Sequence, residues 1–274
     1  MLANKELDLD EIKKIQLEIL VDVNIFCNEH GIKYSLTAGT LLGAVRHSGY
    51  IPWDDDIDIV MPRPDYDKFI LSYKSKLGNL QLICHENNNK YKYLFAKIYN
   101  SNTILIDDFV DNGVTEIGVH IDIFPVDGMG RTHKTARSLI TITEIYRNII
   151  TASCWKRYEF SKSRSVIYEP IRFIFFILSR VIPVRRLIQY VSEYERKYDF
   201  YDSKFVGCIC GSYRYKGIME ERAFLKYTKL KFENKFYSCI KDYDSYLKIL
   251  YGDYMKLPPL EQRVTHHTFK AYYK

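Results

Sequence analysis

Apolar side chains return every three or four positions through residues 8–30. Ile12, Ile15, Ile19, Val23, Phe26 and Cys27 share one face, so the stretch predicts an amphipathic helix packed on a core. Asp8 and Glu11 stand at capping-box spacing at its start, and Gly31 ends it. The period then falls to two. Residues 34–37 and 56–59 read as strands, and the glycine turn at Gly39 between them opens a short helix. The prolines of Met61-Pro62-Arg63-Pro64 hold that run out of a helix, and Asp65 caps a helix reaching about residue 77. Short apolar runs at 80–84, 93–98 and 103–106 predict three more strands, with Asn87-Asn88-Asn89 as a turn, and residues 120–125 a further strand ending at Pro125. From 131 to 200 the pattern is helical. Strands return at 205–210, 224–230 and 236–240, followed by a helix at 243–251 that Gly252 breaks.

Composition and charge narrow the class. At 274 residues, with 47% apolar and 27% charged side chains, the chain is long enough to bury its own core and ordinary for a globular protein. The formal charge of +6 is concentrated: residues 160–190 hold Lys162, Arg164, Arg172, Arg180, Arg185 and Arg186 against Glu169 alone, which predicts a local anionic partner. The same stretch holds the most apolar run, Pro170 to Arg186, whose unbroken part at 173–178 is far short of the ~20 residues that span a bilayer. Two readings stand for it: an interfacial helix drawn to anionic lipid, or a core helix whose arginines reach out to water. These cations lie among aliphatic and Phe residues, not along a row of stacking aromatics, which argues against nucleic acid as a partner. Six cysteines without Cys-x-x-Cys pairing, and an opening MLANKELDLDE too polar for a secretory signal, give the expectation of reduced thiols in a cytoplasmic protein.

Candidate chemistry gathers between Leu36 and Phe69. In Asp56-Ile57-Asp58-Ile59 the carboxylates fall on one strand face and the isoleucines on the other, their bases roughly 7 Å apart, close enough for both to lean on one divalent cation. Such oxygens suit Mg2+ or Mn2+, with substrate phosphates and water filling the remaining positions. Upstream, Gly39, Thr40 and Gly43 stand where the backbone can approach a phosphate and the helix start can point N–H groups at it, and Arg46 follows a turn or two later with a fork able to grip it. Asp122, isolated in an apolar strand, needs a partner. It is either a third ligand of the cation or the base that takes a proton from an acceptor hydroxyl. His120, on the same face, reads as a structural histidine. Lys97, in a strand pattern, is either a point charge for a phosphate or an edge-strand lysine. Arg63 either contacts substrate or pairs with a nearby acid.

The longer run GTLLGAVRHSGYIPWDDDIDIVMPRPDY resembles the LicD family of the nucleotidyltransferase superfamily, whose members resemble phosphocholine transferases and, more distantly, the fukutin-type phospho-sugar-alcohol transferases. Agreement extends to Gly118-Val119-His120-Ile121-Asp122-Ile123-Phe124-Pro125, Tyr251-Gly252-Asp253 and Leu257-Pro258-Pro259. It covers residues 8–125 and 220–267 and is poor between them. The resemblance implies an α+β fold, a nucleotidyltransferase-like mixed sheet flanked by helices: a catalytic core over 1–130, a helical insertion over 131–200 that could face a membrane, and a C-terminal part over 201–274 that completes the site. It implies a metal-dependent transfer in which a CDP-activated alcohol, CDP-choline first among them, gives its phospho-alcohol half to a sugar hydroxyl of a teichoic-acid, capsule or lipopolysaccharide precursor and releases CMP. Lipid-linked acceptors on the cytoplasmic face would give 170–186 its purpose and place the protein at the inner face of the cell membrane. It also implies a tail folded back on the site, with Arg263, His266 and His267 as contacts. Trp53 and Asp54, beside the acidic strand, are further candidate substrate contacts, Trp53 as the wall of an aromatic cage for choline. Two other readings remain: transfer of a nucleoside monophosphate from a triphosphate, releasing pyrophosphate, and a non-catalytic glycan-binding scaffold.

Overall fold

The computed structural model describes residues 5–161, 165–263, 265 and 269–274. Helix α1 (Leu9–His30) opens on the Asp8/Glu11 capping box, both of whose hydrogen bonds form, and ends at Gly31 with φ +61°; the face it buries is the predicted one. There follow β1 (Ser35–Leu36), α2 (Ala38–His47), β2 (Asp58–Pro62), α3 (Arg63–Ser72), β3 (Leu80–Ile83), β4 (Ala96–Asn100), β5 (Thr103–Ile106) and β6 (His120–Gly128). Three helices come next: α4 (His133–Ser153), α5 (Glu169–Val181) and α6 (Val184–Glu195). The chain closes with β7 (Phe205–Gly207), β8 (Met219–Glu220), β9 (Tyr227–Phe232), β10 (Lys235–Ile240), α7 (Tyr243–Tyr251) and β11 (Lys270–Tyr273).

The main sheet has the order β1-β2-β6-β4-β3, and β7 then β8 continue from the far end of β6. Only β2 and β6 run parallel; the other pairs are antiparallel, so the fold is α+β around a mixed sheet, as expected. One core joins residues from Leu7 to Ala271, so both ends of the chain close on the same interior. Smaller apolar clusters pack α4 against α6 and α4 against the β6–β8 end of the sheet.

Several elements depart from the sequence reading. Helix α3 starts at Arg63, not after Pro64, because proline in a first helical turn forfeits a hydrogen bond that would be unmade anyway. It stops at Ser72, not near residue 77, since Tyr73 turns extended to give its hydroxyl to Asp22 (2.7 Å) and pack against Phe26. Strand β4 begins at Ala96, leaving Tyr93 and Phe95 outside the ladder. Strand β6 runs through Pro125, which is tolerated because β4 pairs with it only as far as Ile123 and β7 begins only at Asp127.

Arg63 pairs with a nearby acid, as expected, its Nη1 lying 3.6 Å from Asp67 Oδ1, and with two acids distant in sequence. Its Nε donates to Asp127 Oδ1 at 2.6 Å and its Nη2 to Glu195 Oε2 at 3.2 Å, all three side chains being buried. Two carboxylates share one guanidinium, and burial with the Asp127 charge pushes Glu195 up, to about 8, against the opposing pull of Arg63. This buried group ties α6 to α3 and β6. The apolar face of α5 has no such anchor: Phe173, Ile174, Ile177 and Val181 are exposed, as are Val166, Ile167 and Tyr168 just before them. Among the described residues no helix is long and apolar enough to cross a membrane.

Candidate active site

Strand register assembles the acids. Asp58 on β2 lies opposite Asp122 on β6, and Lys97 on β4 lies opposite Asp122 from the other side. Paired residues point to the same face, so the three side chains stand in a row across neighbouring strands about 4.8 Å apart. Asp56 stands outside β2, which begins at Asp58 and not at the expected residue 56, but it lines the same cleft and its charge acts on Asp58. Burial pushes the Asp58 carboxyl well above the usual carboxylate range; the charges of Asp56, Asp122 and Asp54 push the same way and Lys97 opposes them.

Lys97 is buried and fully committed. Its Nζ donates to Asp122 Oδ1 at 2.5 Å, meets His120 Nε2 at 2.8 Å, and lies 5.3 Å and 5.2 Å from the ring centroids of Tyr93 and Phe95. The edge-strand reading of this lysine therefore gives way, for β4 is an interior strand between β3 and β6. The other nitrogen of His120, Nδ1, meets the Gly118 carbonyl at 2.9 Å. A carbonyl only accepts, so Nδ1 carries the proton and Nε2 turns its lone pair to the lysine.

The start of α2 is stitched to the same place. The Asp58 N–H donates to Thr40 Oγ1 (2.8 Å), and the Thr37 N–H donates to the Asp58 carbonyl (3.1 Å). Ala38 takes a left-handed φ of +48°, a conformation costly for any residue with a Cβ, so the backbone is strained where the helix meets the acids. A Cβ on Gly39 would fall 2.7 Å from Asp54 Oδ2, which sets Asp54 directly against the glycine turn. Gly43 answers to a different neighbour: a Cβ there would lie 2.4 Å from the Gly49 carbonyl, so packing of α2 on the following loop alone accounts for that glycine. Arg46 sits in the last turn of α2, and its Nη1 donates to the Tyr254 carbonyl at 2.8 Å, so its fork holds the C-terminal segment.

That segment covers Trp53. The Arg263 guanidinium lies 5.5 Å over the indole, its Nε bonds the Pro258 carbonyl (2.9 Å), and Thr265 Oγ1 reaches the Trp53 carbonyl at 3.2 Å. The tail thus folds back as expected. The face of Trp53 that was to wall a choline cage is taken by an arginine. His266 and His267 lie outside the described residues.

A cleft of about 520 Å³ opens on the row, lined by Asp56, Lys97, His120 and Asp122 together with Tyr93 and Phe95. Several of its supports were not read from the sequence. Gln16 on α1 donates to the Asp55 carbonyl (2.8 Å), Tyr246 on α7 shares a 2.6 Å hydrogen bond with Thr37, and Glu233, in the β9–β10 turn, accepts from the Tyr50 N–H at 3.0 Å. Nothing local marks Glu233. Tyr91, Tyr93, Phe95 and Lys97 did offer a signal, a period-two row on one side of an extended stretch.

The charges would suit a divalent cation: half-buried carboxylates crowd together and one buried ammonium opposes them. As they stand, no three His, Cys, Asp or Glu side chains among the described residues are grouped to hold a metal ion. An ion that draws most of its ligands from water and phosphate needs fewer side chains than that, and Asp56 and Asp58 are the residues that would hold it.

A family model described as LicD/FKTN/FKRP, nucleotidyltransferase domain, matches residues 31–162. The lipopolysaccharide cholinephosphotransferase LicD of Haemophilus influenzae is 29% identical over 285 aligned positions, which cover 98% of this chain and 99% of that protein. An uncharacterised protein of Rickettsia typhi is 36% identical over 91 residues, 30% of this chain and 29% of its own, and one of Rickettsia prowazekii is 31% identical over 94, 28% of this chain and 35% of its own.

Proposed function

We propose that the protein is a phosphotransferase of the LicD type that moves phosphocholine from CDP-choline to a sugar hydroxyl of a lipopolysaccharide precursor; the match of residues 31–162 to the LicD/FKTN/FKRP nucleotidyltransferase-domain model is the premise. The observation that carries the reading is the row of Asp58, Asp122 and Lys97 across β2, β6 and β4, with Asp56 beside it, inside such a domain. Similarity along nearly the whole chain to a lipopolysaccharide cholinephosphotransferase supports the substrate class.

The acceptor hydroxyl oxygen attacks the phosphorus that bears choline. A new P–O bond forms, the bond from that phosphorus to the bridging oxygen breaks, and its electron pair leaves on CMP. Asp56 and Asp58 would hold Mg2+ or Mn2+ against the donor's phosphates, where the ion would neutralise charge developing on the leaving group. Asp122, kept in place by Lys97, either joins them or takes the hydroxyl proton. The N–H groups at Gly39 and Thr40 lie where helix α2 begins and would donate to phosphate oxygens. A lipid-linked acceptor at the inner face of the cell membrane fits the exposed apolar face of α5, which would rest on anionic lipid there.

Product analysis separates this chemistry from its nearest rival. Wild-type protein supplied with CDP-choline, acceptor and magnesium is expected to release CMP, and Asp58→Asn to lose at least about a thousandfold in rate while keeping its fold. Release of pyrophosphate from CTP or ATP instead would make the protein a nucleotidyltransferase, and full activity in Asp58→Asn would remove the mechanism.

A further inference from the structure

The cleft holds a second kind of chemistry beside the acids. Tyr93 and Phe95 stack with centroids 5.1 Å apart, and Phe95 packs on Phe124 at 4.3 Å, so the rings form a fixed platform. Both are half-buried and border the cleft, and the Lys97 ammonium against them shows that their π-faces already stabilise a cation. Across from them the lining is aliphatic at Ile104, Val110, Val114 and Ile117. It is also acidic: carboxylates outnumber ammonium groups among the lining residues by five to two. Two of these carboxylates are pinned in place, Asp107 by the Phe109 and Val110 N–H groups and Asp111 by Lys92 at 2.9 Å. Burial pushes the Tyr93 phenol up, and Cys154, Asp122, Asp107 and Asp111 push it the same way.

Ring faces, aliphatic walls and diffuse negative charge are what a trimethylammonium group requires, since it carries a charge and has no hydrogen to donate. A polyol has the opposite needs. It carries no charge for the rings to stabilise, and where its hydroxyls met the ring faces and aliphatic walls they would lose water without gaining partners. We propose that Tyr93 and Phe95 form the subsite for the alcohol half of the donor and that this subsite selects a quaternary ammonium over an uncharged alcohol. The inference rests on the CDP-alcohol reading given above.

Calorimetric titration with CDP-choline, with its uncharged carbon isostere CDP-3,3-dimethylbutanol, and with CMP tests the subsite and the donor reading separately. The wild type is expected to bind CDP-choline roughly 3- to 30-fold more tightly than the isostere. Tyr93→Leu and Phe95→Leu should bring that ratio close to one while leaving CMP affinity in place, and Tyr93→Phe, which keeps a ring, should retain it. A wild-type ratio of one, a ratio unchanged in both leucine variants, or a parallel loss of CMP binding in them would overturn the subsite while CDP-choline binding by the wild type still upheld the donor. Failure of the wild type to bind CMP or either CDP compound would overturn both.

Discussion

Gly39 and Gly43 stand one turn apart on α2 and answer to different demands. The Cβ of Gly39→Ala would meet the flexible end of Asp54, whereas that of Gly43→Ala would meet the rigid carbonyl of Gly49. Gly43→Ala is therefore expected to cost roughly 1–3 kcal/mol through overpacking, less up to ~1 kcal/mol of gained helix propensity. Gly39→Ala should change stability by less than about 0.5 kcal/mol and, by displacing Asp54 beside the acids, lower kcat/KM on the order of ten- to a hundredfold. Denaturant unfolding and steady-state kinetics on both variants check this, and the reverse pattern would refute the assignment. The acids themselves were legible because Asp56, Asp58 and Asp122 interrupt otherwise apolar strands at a readable period. The work of Arg46 was not, since the carbonyl it holds belongs to Tyr254, 208 residues away.

Among the elements, β6 followed its alternation through Phe124 and β2 began at Asp58, two residues late, while the ends of α3 and β6 were set by tertiary partners that no local rule contains: Asp22 for Tyr73, and the limited reach of β4 for Pro125. Helix α5 left two readings open in the sequence. Its Phe175 and Leu178 pack on the cluster between α4 and α6, while Phe173 is 48% exposed, Ile177 46% and Val181 75%, with Lys156, Arg157, Arg180 and Arg186 also exposed on this part of the chain. Docked on anionic lipid, each apolar side chain would contribute about 1.5–3 kcal/mol. Wild-type protein should co-sediment with phosphatidylglycerol-containing vesicles, and the double variant Phe173→Ser, Ile177→Ser should lose tenfold or more of that binding. Equal sedimentation of the two, or none by the wild type, would remove the lipid surface from the account.

At the scale of the molecule, the C-terminal segments brace a site whose acids all lie before residue 123. Strand β11 pairs with β5, Tyr246 on α7 bonds Thr37, Glu233 holds the loop after α2, and Arg263 covers Trp53. The sequence located the acids but could not show this bracing, because each contact spans most of the chain and leaves no periodic trace. The cleft beside this bracing is lined, among the described residues, by five carboxylates and two lysines, and the central claim is that a magnesium-borne nucleoside diphosphate alcohol binds there. Calorimetric titration of the intact protein with CDP-choline, before and after removal of magnesium by chelation, tests that claim most directly. The account predicts saturable binding with magnesium and a loss of tenfold or more in affinity without it. Binding of equal strength under both conditions, or a preference for CTP or ATP over CDP-choline, would contradict it.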